Sequence, residues 1–499
     1  MKNKLNIILI IFLVGFFVFL PSLGNGFVWD DEEQIVNNTL IHSISNFPVF
    51  FSGGAFNSGG TGSLLGIYYK PLMTLSFSIL YSLFGSTAFF FHLFSLLIHI
   101  LSAIIVYLIF EHFFDKSKSL ILSLLFLVHP LYSEVVFYAA NFQDILFFFL
   151  GSLALLLTIY KKNKIFITLL LLFSMLSKET GIIFVIITLF YNSWLPSLIS
   201  ISIYSTMRFY IAKIGLSTHQ ISAISDLNLF ERLLSIPKMA WYYFSNLIFP
   251  TNLVPNQHWV VTSFSLSDFW LPLILSILFL TIIIYFTFQK SKSYYFFLAL
   301  FILSLAMHMQ IFPLDVTLSG RWFYLPMFGL LGILGHLKFK KVGYYILTLL
   351  ILIFSIITFV RSFDWKSGLT LYSHDVKIVK NDFNLENNLG VELYRIGKFN
   401  EAKDHFQNSV NLAPLWWTNW NNLGAIYERE NDLDKALDYY KKAIDNGNYY
   451  LAYENYAKIL IKQKKFNEAE EFIKDTLKYF PNNQNLLELY QATRSLRAK

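Results

Sequence analysis

Up to about residue 361 the chain alternates long apolar tracts with short basic or irregular connections; beyond it the pattern becomes polar with a helical period. Apolar tracts at 5–23, 88–110, 118–131, 143–160, 165–177, 181–194, 195–211, 268–288, 294–312, 323–336 and 342–360 predict about eleven spans, a crossing taking ~20 residues. The first tract has the basic start of a signal peptide. Its length, and Pro21 beside the small residues, argue for a retained span. The tracts 118–131 and 165–177 are short and end at His129-Pro130 and Lys178-Glu179. Short spans leave a recess, and non-helical backbone at that depth is tolerated where it lines a cavity. Residues 232–258 are aromatic and interrupted by Pro237, Pro250 and Pro255. They predict an interfacial or re-entrant helix with Trp241, Tyr242 and Tyr243 at headgroup level.

After Arg361 a repeat emerges. Leu389-Gly390 returns as Leu423-Gly424 and Ala402 as Ala436, each 34 residues on, and Lys398 to Ala402 returns as Lys465 to Ala469. Phe406 and Tyr440 hold the bulky position of the second helix, and Pro414 and Pro481 close repeats. This is the tetratricopeptide (TPR) pattern. The fold class expected is therefore all-α: a polytopic membrane bundle followed by a TPR α-solenoid. The expected domains are a membrane domain at 1–361, a linker helix at 362–382, and a TPR domain at 383–499 with three repeats and a capping helix. Such a stack commonly takes a peptide or protein on its concave face; a rigid spacer is the alternative.

Composition agrees with a membrane protein: 55% of residues are hydrophobic and 14% charged. The net charge of +7 is dispersed in small clusters (Lys2/Lys4, Lys116/Lys118, Lys161/Lys162/Lys164, Lys290/Lys292, Lys338/Lys340/Lys341), each flanking an apolar tract. That excludes a nucleic-acid surface and sets topology instead. With the N-terminus inside, all these clusters are cytoplasmic. The loops 24–87, 129–142, 178–180, 212–267 and 313–322 and the residues after 361 are then outside. There is no cysteine, which excludes thiol chemistry and Cys-based metal sites. The Ile-, Phe-, Lys- and Asn-rich composition favours a bacterial cell membrane over the endoplasmic reticulum.

Candidate chemistry gathers on the predicted outer side. Four acidic residues, Asp30 to Glu33, follow the first span. Neighbouring carboxylates raise one another's pKa toward the range of a general base; a solvated helix cap is the plainer reading. Lys70, in Tyr68-Tyr69-Lys70-Pro71-Leu72, lies outside against the charge trend and could bind a phosphate. His129, Glu134 and Asp144 fall between two membrane helices, where ionisable groups are costly and functional by default. Lys178 and Glu179 sit inside an apolar tract, either as a self-neutralising pair or with Lys178 on a phosphate and Glu179 holding it. Arg321 precedes a span in Gly320-Arg321-Trp322-Phe323-Tyr324 and offers a permanently charged, bidentate phosphate ligand. His129, Glu134 and Asp144 leave a divalent metal site open as an alternative, but their spacing matches no known ligand motif and no metal is expected.

At these residues the chain resembles the transmembrane-and-TPR O-mannosyltransferases (TMTC) and their bacterial relatives, within the GT-C superfamily. The resemblance runs through FVWDD at 27–31, YKPL at 69–72, HPLYSE at 129–134, Asp144, KETG at 178–181, RWFYLP at 321–326 and the C-terminal repeats. It departs at Lys70, Tyr132, Phe142 and Gly320, where the family has Arg, His, Arg and Glu. The resemblance implies Asp30 or Asp31 as catalytic base and Lys70, Lys178 and Arg321 as ligands of the donor phosphate. Tyr69, His129, Glu134, Asp144, Glu179 and Tyr324 would line the site. It also implies a polyprenyl-phosphate sugar donor, mannose by the family's habit, no required metal, inversion at the sugar, and a protein or glycoconjugate hydroxyl as acceptor, brought by the TPR groove. Two rivals stand beside it. A flippase for lipid-linked glycans predicts midplane charges and symmetric halves; a non-catalytic TPR scaffold leaves the charges at 129–144 and 178–179 without a purpose.

Overall fold

The computed structural model describes residues 2–57, 64–215 and 223–497. Among the described residues the elements are mainly helical, with short strand pairs such as Asn256–Gln257 antiparallel to Leu318–Ser319. It divides into two compact units: residues 1–31, 41–56 and 65–367, and residues 32–40, 57–64 and 368–499.

In the first unit each tract expected to span contains a helix, though 294–312 leaves its helix after Ala306 and 181–194 breaks at Asn192. Among the described residues five helices are long and apolar enough to cross a membrane: Lys4–Gly24, Ala88–Phe113, Ala139–Ile159, Leu266–Thr287 and Lys341–Asp364. The pair Lys116–Val128 and Pro130–Phe137, bent by 42°, is a broken span or a re-entrant loop, so five or six helices of crossing length stand where about eleven spans were expected. Lys164–Ser177, Glu179–Tyr191 and Lys292–Ala306 are shorter. The protein is an integral membrane protein.

The bend follows from Pro130, which cannot continue the helix of residues before it. The carbonyls it frees are taken up by side chains: Phe126 O by the Tyr132 hydroxyl at 2.5 Å, Leu127 O by His99 Nε2 at 2.9 Å, and Val128 O by Thr358 Oγ1 at 2.8 Å. In an apolar layer an unpaired carbonyl costs several kcal/mol, so each cap holds the break where it is.

Two local expectations change. The segment 24–87, expected as a loop, contains the apolar helix Pro71–Phe84. Its 14 residues reach ~21 Å, short of a ~30 Å hydrocarbon core, so it adds no crossing. Residues 232–258 hold Ile236–Ile248 as their main helix, with Tyr243 turned into the protein. It is 1% exposed, and its hydroxyl donates to Ser319 O at 2.9 Å inside the protein.

The second unit is a helical-hairpin stack. Phe383–Arg395 pairs with Phe399–Leu412, Trp417–Arg429 with Leu433–Asn446, and Tyr450–Lys462 with Phe466–Thr476; Gln484–Arg497 follows. The Leu-Gly repeat now has its reason. A Cβ on Gly390 would meet the Phe406 ring at 2.6 Å, and one on Gly424 the Tyr440 ring at 2.7 Å. Residues 32–40 belong to this unit, and Arg395 bonds both Glu32 oxygens at 2.9 and 2.6 Å.

Candidate active site

The acidic loop is built on an uncommon backbone. Trp29 has φ +54°, the left-handed region that a bulky side chain rarely occupies. Its ring stacks on Tyr138 at 5.7 Å. The Tyr138 hydroxyl accepts the Asp30 N–H at 3.2 Å. Asp31 is fully buried, and its carboxyl accepts from Val28 N at 3.1 Å and Ala140 N at 2.6 Å. Burial pushes the Asp31 carboxyl up to about 8, against the lowering pull of those N–H groups and with a further rise from Asp30. Asp31 is thus an anchor. Asp30 beside it is half-buried.

Asp31 supplies a first prediction. Its folded pKa is above the unfolded value, so the native state holds the proton more tightly. Its contribution is full below about pH 4 and declines as pH rises toward 8. Asp31→Asn points an amide N–H₂ at one of two backbone donors. It is expected to lower the thermal midpoint at pH 5 and to flatten the decline between pH 5 and 8. Thermal unfolding in detergent across that range checks both.

A chain of buried charges starts four residues before Tyr138. Glu134 Oε1 accepts from Arg321 N at 2.6 Å and Ser319 Oγ at 3.1 Å, while Oε2 lies 3.9 Å from Arg321 Nη1. The same guanidinium donates to Asn256 Oδ1 at 3.1 Å, and its Nε lies 4.0 Å from Asp144 Oδ2. Asp144 Oδ1 accepts from Lys178 Nζ at 2.5 Å. Among the described residues Glu134 Oε2, Asp144 Oδ2 and Arg321 Nε are buried without a hydrogen-bond partner. Three orphaned polar atoms on mutually facing side chains suit a polar ligand, since each costs ~1–3 kcal/mol unsatisfied.

A second group adjoins the first. Glu179 Oε1 accepts from Tyr69 N at 2.8 Å and Arg208 Nη1 at 2.7 Å. The Lys70 ammonium lies over the Tyr68 ring at 4.2 Å, within electrostatic range of Glu179, Lys178, Asp315 and Asp144. Lys178 and Glu179 therefore do not neutralise each other, nor does Glu179 hold Lys178. Each takes a partner from another element, Asp144 and Arg208 respectively.

Of the expected site residues, Lys70, Tyr69, Glu134, Asp144, Lys178, Glu179 and Arg321 share this neighbourhood. Two stand apart. His129 spends its ring nitrogens on Leu247 O and Leu131 N, as a cap at the helix break. The Tyr324 hydroxyl bonds His99 Nδ1 at 2.7 Å among aromatic rings. Phe142 lies buried against Phe77 and Phe94. At Gly320 a Cβ would sit 2.4 Å from Leu131 O, so the glutamate of the family pattern requires the turn at 131 to move.

Sequence reasoning missed Arg208, Tyr138, Asn256 and His308. Arg208 carried a readable signal, a lone charge ending the apolar tract 195–211. His308 stacks on Trp322 at 5.1 Å, within electrostatic range of Lys178 and Arg321. Among the described residues no group of three or more His, Cys, Asp or Glu is arranged to hold a metal ion.

A family described as dolichyl-phosphate-mannose-protein mannosyltransferase matches residues 70–219, which include Lys70, Glu134, Asp144, Lys178, Glu179 and Arg208. The tetratricopeptide repeat family matches residues 419–447. Human protein O-mannosyl-transferase TMTC3 is 24% identical over 85% of this chain, and Caenorhabditis elegans protein O-mannosyl-transferase F38B6.6 is 26% identical over 82%. The chain is similar to the TMTC O-mannosyl-transferases over most of its length. It spans 53% and 63% of those two relatives. Among solved structures the APC/C hetero-tetramer Cut9–Hcn1 matches at TM-score 0.27 and 13% identity, covering 85% of this chain and 96% of that one, a likeness too low to carry an argument.

Proposed function

We propose that the protein is a membrane mannosyltransferase that moves mannose from a polyprenyl phosphate to a hydroxyl of a protein acceptor outside the cytoplasm. One observation carries this reading. The segment 134–144 holds the acidic loop through Tyr138 and Ala140, and the phosphate-type cations through Glu134 and Asp144. In this reading the base and the leaving-group ligands both hang on one short piece of chain. The similarity to O-mannosyl-transferases supports the same reading.

In this mechanism Asp30 takes the acceptor hydroxyl proton as that oxygen attacks the anomeric carbon. The bond from that carbon to the phosphate oxygen breaks, and the phosphate leaves with the electron pair, inverting the centre. Arg321, Lys178 and Lys70 stabilise the charge that develops on the phosphate, while Glu134 and Asp144 hold the first two cations in position. Residues 1–361 carry the chemistry and residues 383–499 bring the acceptor, in a bacterial cell membrane. The test incubates purified protein with polyprenyl-phosphate [³H]mannose and a Ser/Thr-rich polypeptide. Label appearing on the polypeptide with release of free polyprenyl phosphate is expected; no consumption of any polyprenyl-phosphate hexose overturns the proposal.

A further inference from the structure

Lys70 stands on backbone that no regular element supports. Residues 66–70 form neither helix nor strand, and the helix Pro71–Phe84 begins after Lys70 without a side-chain cap. Among the described residues the Lys70 ammonium makes no hydrogen bond and no ion pair, and it lies over the Tyr68 ring at 4.2 Å. An ammonium with three free donors needs a fixed base if it is to meet a phosphate at bonding distance.

That base is fixed from another helix. Arg208 lies in the π-helical turn Met207–Ile211 that follows the helix Trp194–Thr206, a kind of turn frequent at functional sites. Nη2 donates to Ile67 O at 3.1 Å and to Gly215 O at 3.4 Å. Nη1 donates to Glu179 Oε1 at 2.7 Å and to the Tyr204 hydroxyl at 3.1 Å. The same Glu179 oxygen accepts the Tyr69 N–H at 2.8 Å. The Tyr204 ring packs on the Tyr69 ring at 6.1 Å. Arg208 thus holds the carbonyl three residues before Lys70 directly, and the N–H one residue before it through Glu179.

Neutralising Glu179 would need less than this. Arg208 is 8% exposed, and a buried charge at the end of an apolar tract is costly. A lysine could pair with Glu179 as a point charge, but it has no planar fork to hold Ile67 O at the same time. What the guanidinium adds is the second grip, and that grip falls on the main chain leading into Lys70.

We propose that Arg208 is a positioning residue for the donor: through Ile67, and through Glu179 and Tyr69, it sets the Lys70 ammonium at the donor phosphate. This rests on the function proposed above, in taking Lys70 as a phosphate ligand. The probe is polyprenyl phosphate, with unphosphorylated polyprenol as control, titrated by calorimetry into the full-length protein in detergent. Lys70→Met weakens binding of the phosphate by about ten- to a hundredfold, as for loss of a charged hydrogen bond. Arg208→Lys weakens it about tenfold and leaves polyprenol binding unchanged. The double variant Lys70→Met, Arg208→Lys binds no more weakly than Lys70→Met, because Arg208 acts through Lys70. A merely structural arginine would weaken polyprenol equally, and its effect would multiply with that of Lys70→Met. Either result overturns the proposal, as does wild-type affinity in Arg208→Lys. Glu179→Gln keeps an oxygen for the Tyr69 N–H but loosens its hold on Arg208, and it is expected to give the same non-additive cycle with Lys70→Met. If neither Arg208→Lys nor Glu179→Gln folds, Arg208 is structural and the proposal falls. No binding of polyprenyl phosphate by the wild type removes the enzyme reading and this proposal together. Binding that depends on Lys70 with an additive cycle removes the role of Arg208 alone.

Discussion

Asp30→Asn is expected to reduce mannosyl transfer by ~10²–10⁴-fold, the range for removal of a general base, with no shift in the thermal midpoint. The side chain change leaves the Asp30 N–H on the Tyr138 hydroxyl, so the loop keeps its course. Asp31→Asn has the opposite signature, because both Asp31 oxygens take backbone N–H groups and its loss disturbs the loop itself. Rates of transfer and unfolding midpoints on the two variants, measured side by side, separate base from anchor. Wild-type rates in Asp30→Asn would remove Asp30 from the chemistry.

Lys178→Met is expected to be the most damaging single change to stability, by about 3–5 kcal/mol, the cost of leaving a buried charge without its partner. Asp144 is 1% exposed, and Lys178 is its close partner at 2.5 Å; Arg321 stands off at 4.0 Å. The double variant Lys178→Met, Asp144→Leu removes both charges. It is expected to recover much of the midpoint, since apolar replacement of a buried pair is often neutral. Thermal unfolding of wild type, both single variants and the double forms a cycle. A double variant as unstable as the sum of the singles would show that the pair does not couple.

Much of this was readable from the chain. The apolar tracts gave the apolar helices, but of the eleven crossings expected five helices, or six with the bent pair, reach the length a bilayer demands among the described residues. The 34-residue recurrence gave the repeats because each Leu-Gly must admit the ring of its partner helix. Charges in apolar surroundings, Asp144, Lys178 and Arg321, are clustered in the structure because isolated burial is too costly. Pairing was not readable. Lys178 and Glu179 are adjacent in sequence, but on extended backbone and a following turn they diverge toward Asp144 and Arg208. Nor was the difference between Asp30 and Asp31, which depends on Val28 and Ala140 N–H groups that no side-chain pattern reports. Pro71–Phe84 escaped because a helix too short to cross has no length signal.

The capped break at Pro130 has a consequence for the host membrane. Its three carbonyl partners come from Ala88–Phe113, from Lys341–Asp364 and from Tyr132 just past the break. The level of Glu134 relative to these helices is thus dictated by protein contacts rather than by lipid. A thicker or thinner acyl layer would be accommodated by tilting of peripheral helices such as Leu266–Thr287, whose apolar window is only 11% buried. Turnover should accordingly vary little across phosphatidylcholines of different chain length.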